Sequence, residues 1–253
     1  MGLVDGKAGI VTGAAGGIGR ACALGLAREG GSVVVTDLAS QRAEGEETVR
    51  LIADAGGRAV FVAGDVTDEQ DQRRLVQECV SAFGRIDFAH NNAGVELTAT
   101  VEDTTVEDWD KVLAVNLKGV WLGIKQQMAE MRTQGGGSII NTSSLAGVMA
   151  FRGIAAYVAS KFGVIGITRA AALEGADAGI RVNAIVPTAV RTPMIERFDP
   201  QLQDHLIAPH AIKRMSEPSE VAEAVVWLAS DRSSLVTGTQ FSLDLGTTAG
   251  YSS

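Results

Sequence analysis

The sequence is poor in cysteine and holds no long apolar run, and both shortages exclude whole classes of protein. Only two cysteines occur among 253 residues. Cys22 and Cys79 lie far from any Cys-x-x-Cys spacing, which excludes a disulfide-stapled domain and a zinc ribbon. They are expected to be buried thiols of a protein in the reducing cytoplasm. No apolar stretch approaches the roughly 18 residues that a membrane span requires, and no export signal is recognisable.

Basic residues are also in the minority. The chain has 22 Lys and Arg against 30 Asp and Glu, a formal net charge of −8. No run of Lys and Arg forms a patch that could neutralise phosphates, so nucleic acid is not an expected partner. His205 and His210 are not spaced as metal ligands, and no metal site is expected.

Short runs rich in Val and Ile alternate with longer amphipathic stretches along the whole chain. Nearly continuous apolar strands separated by helices require a parallel sheet that is covered on both faces. The predicted fold class is therefore α/β, a Rossmann-type doubly wound parallel sheet of about seven strands. Neither a linker nor a repeat interrupts the pattern, so residues 1–253 are expected to form one domain. The predicted strands are Ala8–Val11, Ser32–Val35, Ala59–Val62, Ile86–Ala89, Ser138–Asn141, Arg181–Val186 and Gln240–Leu243. The predicted helices are Ile18–Glu29, Gln41–Ala55, Glu69–Phe83, Val106–Arg132, Ala155–Leu173 and Ser219–Ala229.

A glycine-rich turn, Thr12 to Gly19, follows the first predicted strand and opens into a helix. Glycines permit positive φ and let the backbone approach a pyrophosphate, which would bind at the positive end of the helix dipole. The spacing is Gly-x-x-x-Gly-x-Gly and not the general Gly-x-Gly-x-x-Gly fingerprint, so a purely structural turn is the alternative. The predicted cofactor contacts in the turn are Gly13, Gly17, Ile18 and Gly19.

Asp37 ends the second predicted strand, about twenty residues beyond the glycines, where an acid would meet the adenosine ribose. Its carboxylate would hydrogen-bond both ribose hydroxyls and repel a 2′-phosphate. No Lys or Arg lies within the glycine turn or directly after Asp37, so the predicted cofactor is NAD and not NADP. The alternative is that Asp37 only caps the helix that follows.

Tyr157 and Lys161 are four residues apart in a predicted helix, which places them on one face. An unperturbed phenol has a pKa of about 10, too high for a base at neutral pH. The adjacent ammonium of Lys161 is expected to favour the phenolate. The pair can therefore be an acid/base unit.

Two more polar residues are candidates because of their positions. Ser144 follows the fifth predicted strand at the rim of the crevice, where its hydroxyl is expected to bond a substrate carbonyl while Tyr157 donates a proton. A turn or helix cap is the alternative for Ser144. Asn116 is a weak helix former inside a long helical pattern, so a bend or an ordered water is expected there.

Together these motifs resemble the short-chain dehydrogenase/reductase family over nearly the whole chain. Tyr157 falls thirteen positions after Ser144, the spacing of that family's catalytic serine and tyrosine. The resemblance implies an NAD-dependent oxidoreductase that acts on a secondary alcohol or ketone, a small-molecule substrate. The segments that carry it are Thr12 to Gly19, Asn91-Asn92-Ala93-Gly94, Asn116, Ser144 and Tyr157 to Lys161.

The same resemblance assigns roles to individual residues. It implies a catalytic tetrad in which Tyr157 is the acid/base, and in which Asn116 holds a water that joins Lys161 to a proton relay. For Asn91, a turn that stabilises the central sheet is a second role. The implied tetrad is Asn116, Ser144, Tyr157 and Lys161. The implied cofactor contacts are Asp65 and Val66 to adenine, Asn91 to the adenine ribose, Lys161 at the nicotinamide ribose, Thr192 near the nicotinamide carboxamide, and also Tyr157.

Two positions depart from the family pattern. Pro187-Thr188 stands where the family commonly has Pro-Gly, and Asp244-Leu245-Gly246 stands where Asp-Gly-Gly is common. A β-branched residue tolerates positive φ poorly, so Thr188 is expected to restrict the backbone beside the nicotinamide and narrow the pocket.

Residues 193–215 are expected to form a mobile helical flap over a largely apolar substrate, with ordinary packing as the alternative. Apolar residues on more than one face of Val106–Arg132 and Ala155–Leu173 suit burial against symmetry mates, and a homotetramer is expected. The apolar flap residues are Met194, Ile195, Phe198, Leu202, Leu206, Ile207 and Ile212. Other candidate pocket residues are Glu96, Val148, Met149 and Arg152.

Two rival functions are weighed against this interpretation. An NADPH-dependent ketoreductase of acyl-carrier-protein substrates would need basic residues near Asp37 for the 2′-phosphate and a basic patch to dock the carrier protein. The sequence has neither. A non-catalytic NAD-binding sensor would keep the fold without turnover, whereas all four tetrad positions are filled.

Overall fold

Seven parallel strands form one sheet in the computed structural model, which describes residues 1–197 and 199–250. Their order across the sheet is β3-β2-β1-β4-β5-β6-β7, and every neighbouring pair is parallel. The predicted doubly wound α/β fold is confirmed. The strands are β1 Ala8–Thr12, β2 Ser32–Asp37, β3 Arg58–Ala63, β4 Phe88–Asn91, β5 Gly137–Thr142, β6 Ile180–Pro187 and β7 Gln240–Leu243.

Helices connect the strands and cover both faces of the sheet. None of the helices in the described part of the chain is long and apolar enough to cross a membrane. The helices are α1 Gly17–Arg28, α2 Arg42–Asp54, α3 Glu69–Phe83, α4 Val106–Leu113, α5 Gly119–Gln134, α6 Ala155–Gly175, α7 Pro193–Glu196, α8 Pro200–Ile207 and α9 Pro218–Ala229.

The strand order reverses between β1 and β4. β1 pairs with β2 on one side and with β4 on the other, so the connections that leave the carboxyl ends of β1 and β4 run apart. Such a switch point opens a ligand crevice at the carboxyl edge of the sheet. The loops after the two strands meet there, because the Asn92 amide donates to the Thr12 hydroxyl at 2.9 Å.

β4 begins later than the apolar pattern predicts. The expected strand was Ile86–Ala89, whereas the observed strand is Phe88–Asn91. The Ile86 amide instead donates to the Gln134 side-chain oxygen at 3.0 Å. His90 and Asn91 are polar and yet buried within the strand. A search for apolar runs therefore ends before them.

The long helix predicted over Val106–Arg132 is interrupted. A π-helical turn at Ala114–Lys118 separates α4 from α5. Asn116 lies in that turn, where its side-chain oxygen accepts the Val95 amide and its nitrogen donates to the Val95 carbonyl, each at 2.8 Å. The bend expected at Asn116 is thus a π turn, a feature that is frequent at functional sites.

Two apolar clusters pack against the two faces of the sheet. One contains Leu26 of α1 and Val225 of α9, and the other contains Leu75 of α3. All three are at most 1% exposed, and full burial of such a side chain contributes about 1.5–3 kcal/mol. Cys22 and Cys79 lie one in each cluster and are buried, as predicted.

A network of buried amides joins β4, β5, α5 and α6 below the crevice. Asn91 Nδ2 donates to Gln127 Oε1 at 3.0 Å and to Asn141 Oδ1 at 2.9 Å, and Gln127 Nε2 donates back to Asn91 Oδ1 at 2.8 Å. Asn141 Nδ2 donates to the Thr168 hydroxyl at 2.9 Å. All four side chains are buried, so these bonds satisfy groups that water cannot reach.

Replacing Gln127 with Met should lower the free energy of unfolding by about 1–3 kcal/mol, because Asn91 Oδ1 loses its donor and stays buried. Urea denaturation followed by circular dichroism measures the change. Gln126→Met is the matched control, since the Gln126 amide makes only a 3.3 Å contact with the exposed Glu69. The control should stay within about 0.5 kcal/mol of wild type, and equal effects of the two substitutions would contradict the role of the network.

Candidate active site

The glycine turn after β1 adopts a backbone conformation and close packing that residues with a Cβ could not adopt without strain or clashes. Gly13 and Gly17 have φ of 64° and 51°, a region that favours glycine. A Cβ on Gly19 would lie 2.1 Å from the Gly13 carbonyl oxygen. α1 starts at Gly17 without a side-chain cap on its first amides, which leaves these donors for an anion. Ile18 packs against the apolar core.

Asp37 is tied back to the glycine turn. Its Oδ2 accepts the Ala15 amide at 3.1 Å, and its Oδ1 accepts the Leu38 amide at 2.9 Å. Neither the short 3₁₀ turn that follows nor α2 has a side-chain hydrogen bond at its N-cap. The alternative that Asp37 caps the next helix is therefore wrong, and its negative charge lies beside the glycine turn.

Arg20 is a residue of this region that sequence reasoning missed. Its guanidinium donates to the Thr48 hydroxyl at 2.9 Å, to the Glu44 carbonyl at 3.0 Å and to the Ala15 carbonyl. These bonds join α1, the glycine turn and α2. The cation is thus engaged with protein acceptors and is not free to pair with a phosphate beside Asp37. The one available signal was an arginine directly after the glycine-rich segment.

Helix α6 brings Tyr157 and Lys161 together at the end of β5. Lys161 Nζ lies 5.3 Å from the centre of the Tyr157 ring and donates to the Thr142 carbonyl at 2.9 Å. The Ser143 hydroxyl donates to the Lys161 carbonyl, also at 2.9 Å. These bonds fasten α6 to the carboxyl end of β5, directly before Ser144.

Burial dominates the acid–base properties of the pair. It raises the pKa of Tyr157 to about 12; the charge of Glu96 also raises it, and a hydrogen bond with Ser144 lowers it. Burial lowers the pKa of Lys161 to about 8, although the charge of Glu96 raises it. The pKa of Tyr157 therefore moves opposite to the direction expected from the ammonium of Lys161, because burial and the charge of Glu96 both disfavour the phenolate.

Ser144 makes the cap that was its alternative role, and its bond to a substrate carbonyl stays a prediction. Its Oγ accepts the Ala146 amide at 3.1 Å and so caps the 3₁₀ turn Leu145–Gly147. The same hydroxyl lies close enough to the phenol of Tyr157 to lower its pKa. Because the oxygen already accepts from an amide, its own hydrogen remains available for donation.

Asn116 is fully buried in the π turn. Besides its two bonds to the loop after β4, its amide donates to the Ser160 hydroxyl at 3.2 Å, and Ser160 donates to the Tyr157 carbonyl at 2.7 Å. Gly94 lies close by, since an added Cβ would be 3.3 Å from Asn116 Oδ1 and 3.6 Å from Lys161 Nζ. Asn116 thus holds this loop against α6, and the water relay to Lys161 stays a prediction.

Glu96 places a half-buried carboxylate beside the pair. The loop of residues 94–99 is held by Asn116 at its start and at its end by the Ala99 amide, which donates to the Gly153 carbonyl at 2.8 Å. Burial raises the pKa of Glu96, and the charge of Lys161 lowers it. Within the part of the chain that the structure describes, no protein group hydrogen-bonds this carboxylate.

The remaining predicted cofactor residues of the sheet edge already contact protein groups. Asp65 accepts the amide and the hydroxyl of Thr67 at 2.9 and 2.8 Å. Val66 lies against Gly119, where an added Cβ would come within 3.0 Å of Val66 Cγ2. The Asn91 side chain belongs to the buried amide network, so it stabilises the sheet, and a contact with a ribose would use its backbone.

Thr192 lies over the glycine turn, because an added Cβ on Gly17 would be 3.4 Å from Thr192 Cγ2. The predicted flap that follows contains the short helices α7 and α8, and its mobility stays a prediction. Outside the described part of the chain lie Phe198 and the side chains of Met194 and Leu202.

The two departures from the family pattern differ in backbone conformation. Among the described non-glycine residues only Leu245 has a positive φ, 52°. Thr188 lies outside the left-handed region, as expected of a β-branched residue, and its narrowing of the pocket stays a prediction. Leu245 adopts the left-handed conformation, which for such a residue costs on the order of 1–2 kcal/mol.

The histidine side chains in the described region form hydrogen bonds with protein groups. His90 Nε2 lies 2.7 Å from the Thr142 hydroxyl, and burial lowers the pKa of His90 to about 3. His205 Nδ1 bonds the Gln201 carbonyl at 2.8 Å. Within residues 1–197 and 199–250 no three His, Cys, Asp or Glu side chains form a group that could hold a metal ion.

Known proteins resemble this chain over nearly its whole length. A family model described as enoyl-(acyl carrier protein) reductase matches residues 13–248. The cyclohexanol dehydrogenase of Acinetobacter sp. strain SE19 is 40% identical over 240 residues, 94% of this chain and 93% of that protein. The 2,5-dichloro-2,5-cyclohexadiene-1,4-diol dehydrogenase of Sphingobium indicum strain DSM 16412 is 40% identical over 98% of this chain and 100% of its own. The crystal structure of a levodione reductase matches with a TM-score of 0.93 at 34% identity, over 98% of this chain and 99% of that one.

Replacing Glu96 with Gln should lower the pKa of Lys161 below its value of about 8, because the Glu96 charge raises it. The pH dependence of the lysine ¹³Cε chemical shifts measures this, and Lys161→Arg assigns the signal. Glu102→Gln is the matched control, since Glu102 is an exposed carboxylate a few residues further along the chain. A Lys161 pKa that stays the same or rises in Glu96→Gln would refute the coupling.

Proposed function

This chain belongs to the short-chain dehydrogenase/reductase family, and from that membership we propose that it transfers a hydride between NAD(H) and a secondary alcohol or its ketone. The matched relatives are dehydrogenases and reductases, which makes the chain an oxidoreductase of the alcohol and ketone type. The observation that carries the finer proposal is the meeting of Ser144, Tyr157 and Lys161 at the carboxyl end of β5.

NAD is the proposed cofactor because the residues around Asp37 fit it. The glycine turn leaves space where side chains would stand, and the uncapped start of α1 offers amides to a pyrophosphate. The Asp37 carboxylate, fixed by two backbone amides, would accept ribose hydroxyls and repel a 2′-phosphate. When bound, the nicotinamide ring supplies the carbon that takes or returns the hydride. The proposed cofactor residues are Gly13, Gly17, Ile18, Gly19, Asp37, Asp65, Val66, Asn91, Tyr157, Lys161 and Thr192.

Proton transfer is assigned to the Tyr157 hydroxyl. Its raised pKa keeps the phenol protonated at neutral pH, so Tyr157 can donate its proton to the substrate oxygen during ketone reduction. Alcohol oxidation needs the phenolate as acceptor, so its rate rises with pH. Ser144 donates its remaining hydrogen to the substrate oxygen and stabilises the charge that develops there. Lys161 offsets the charge left on Tyr157, and Asn116 holds the water that links Lys161 to the relay.

The substrate is proposed to be a cyclic alcohol with a second polar group. Met149 and Phe151 follow Ser144 closely in the chain and are 38% and 36% exposed, an unusual exposure for large apolar side chains beside a catalytic segment. Among the described residues none donates a hydrogen bond to the half-buried Glu96 carboxylate, which can accept one from a second hydroxyl. The names of two relatives, a cyclohexanol and a cyclohexadiene-diol dehydrogenase, support this class.

A cytoplasmic homotetramer is the proposed form of the protein. Its two cysteines are buried free thiols, which suits a reducing compartment. Large apolar side chains are exposed on α4, α5 and α6, with Trp109 41%, Trp121 44% and Phe162 47% exposed. Such exposure marks surfaces that pack against symmetry mates.

A second candidate is reduction of an acyl-carrier-protein substrate, which the description of the matching family model favours. That reaction would use NADPH and a basic docking surface. The net charge of −8 and the Asp37 carboxylate oppose it. NADPH with an acyl thioester therefore belongs in the substrate panel.

Replacing Tyr157 with Phe should lower kcat for alcohol oxidation by about 10²–10⁴-fold, because the proton acceptor is lost. Absorbance of the reduced nicotinamide measures turnover with NAD or NADP and a panel of secondary alcohols, cyclic diols, hydroxysteroids and sugars, and with NADPH and an acyl thioester. Tyr251→Phe, at the only other tyrosine, is the control. NAD binding should survive in both variants, and full activity of Tyr157→Phe would overturn the assignment. A wild-type chain that binds NAD tightly and oxidises nothing would favour the sensor.

Replacing Asp37 with Asn should lower kcat/KM for NAD about tenfold and raise that for NADP, because the charge that repels the 2′-phosphate is removed. Asp54→Asn, at an exposed acid of α2, is the control. Steady-state kinetics with both cofactors measures the preference. An unchanged ratio between the two cofactors would remove Asp37 from the binding site.

A further inference from the structure

The two positions that depart from the family pattern meet at one loop. We define the flap base as residues 208–216, which lead from α8 towards α9. The Thr188 hydroxyl lies 2.6 Å from His210 Nε2. The Leu245 carbonyl accepts the amides of Ala211 and Ile212 at 2.9 and 3.1 Å. Both positions therefore bond to one run of three consecutive residues, Thr188 to the first and Leu245 to the next two.

The bond between Thr188 and His210 has a defined direction. His210 is fully buried, and its Nδ1 lies 2.7 Å from the Arg214 carbonyl oxygen. A carbonyl only accepts, so Nδ1 carries the hydrogen of the singly protonated ring and Nε2 is an acceptor. The Thr188 hydroxyl is then the donor. Glycine, which is common at this position, has no such donor.

The flap base has a third attachment to the rim of the sheet. The Arg191 amide donates to the Ser216 carbonyl at 2.9 Å, and the Ser216 amide donates to the Ala189 carbonyl at 3.0 Å. Together with the strained φ of Leu245, whose carbonyl receives two amides, these bonds hold the loop on three sides. Strain at a non-glycine residue persists only where surrounding contacts over-determine it.

This attachment lies one strand away from the catalytic serine. β6 pairs with β5, where the Ser143 amide donates to the Ile185 carbonyl at 2.9 Å, so Thr188 leaves the sheet at the same edge as Ser144. Helices α7 and α8 lie in the chain between Thr192, which is next to the glycine turn, and the flap base. A displaced flap base would therefore move these helices and leave the bonds of Tyr157 and Lys161 in place.

We propose that Thr188 and His210 are positioning residues that anchor the flap base and thereby set the affinity for substrate without affecting the chemical step. The effect on substrate affinity rests on the proposed alcohol oxidation. The anchoring of the flap base by Thr188 and His210 does not depend on it.

The test compares Thr188→Val, Thr188→Ser and His210→Gln. Thr188→Val keeps the shape and removes the donor, and it should raise KM for the alcohol about tenfold with kcat within about twofold of wild type. Thr188→Ser restores the hydroxyl and should restore KM. His210→Gln should resemble Thr188→Val, whereas His205→Gln, at an exposed histidine of α8, should resemble wild type.

Limited trypsin digestion gives a readout that needs no turnover. Lys213 and Arg214 lie in the flap base and Arg197 precedes α8, and all three are exposed. Cleavage there should be several times faster in Thr188→Val and His210→Gln than in wild type and Thr188→Ser. Wild-type KM together with wild-type cleavage in Thr188→Val or His210→Gln overturns the anchor. If wild type oxidises none of the alcohols, the digestion decides alone, and its result does not depend on the proposed function.

Discussion

The candidate site depends on one buried ammonium that is held by a backbone carbonyl. Lys161 is 3% exposed and donates to Thr142 at the end of β5. An ammonium in such surroundings loses its hydration, so the protein must supply acceptors and negative charge around it. The Thr142 carbonyl is the hydrogen-bond acceptor, and Glu96, in the loop after β4, supplies the negative charge. The same bond fixes α6 against β5, which sets where Tyr157 stands.

The fold could be predicted from local patterns because a parallel sheet covered by helices leaves a repeating apolar signature. Periodicity failed where buried residues are polar. His90 and Asn91 belong to β4, but their partners, such as Gln127 and Asn141, lie far along the chain. No spacing rule identifies such partners, because only the packed sheet brings them together.

The site shows the same division between local and distant causes. Tyr157 and Lys161 could be paired from sequence because one helical turn separates them. The direction of the Tyr157 pKa could not, because it follows from burial and from Glu96. The role of Arg20 was equally hidden, since its acceptors belong to other elements. Charge and spacing in the sequence identify candidate site residues, whereas burial in the folded protein determines their pKa values.

The π turn at Ala114–Lys118 limits the insertions and deletions that this part of the chain can tolerate. A π turn is an α-helix with one additional residue, and one residue corresponds to about 100° of rotation around a helix. Losing any residue of the turn would restore regular α-helix and rotate α5 relative to α4. Asn116 could then no longer meet the Val95 backbone while α5 kept its buried face on the sheet. The length of this stretch is therefore fixed to the residue, even where its side chains face solvent and are free to vary.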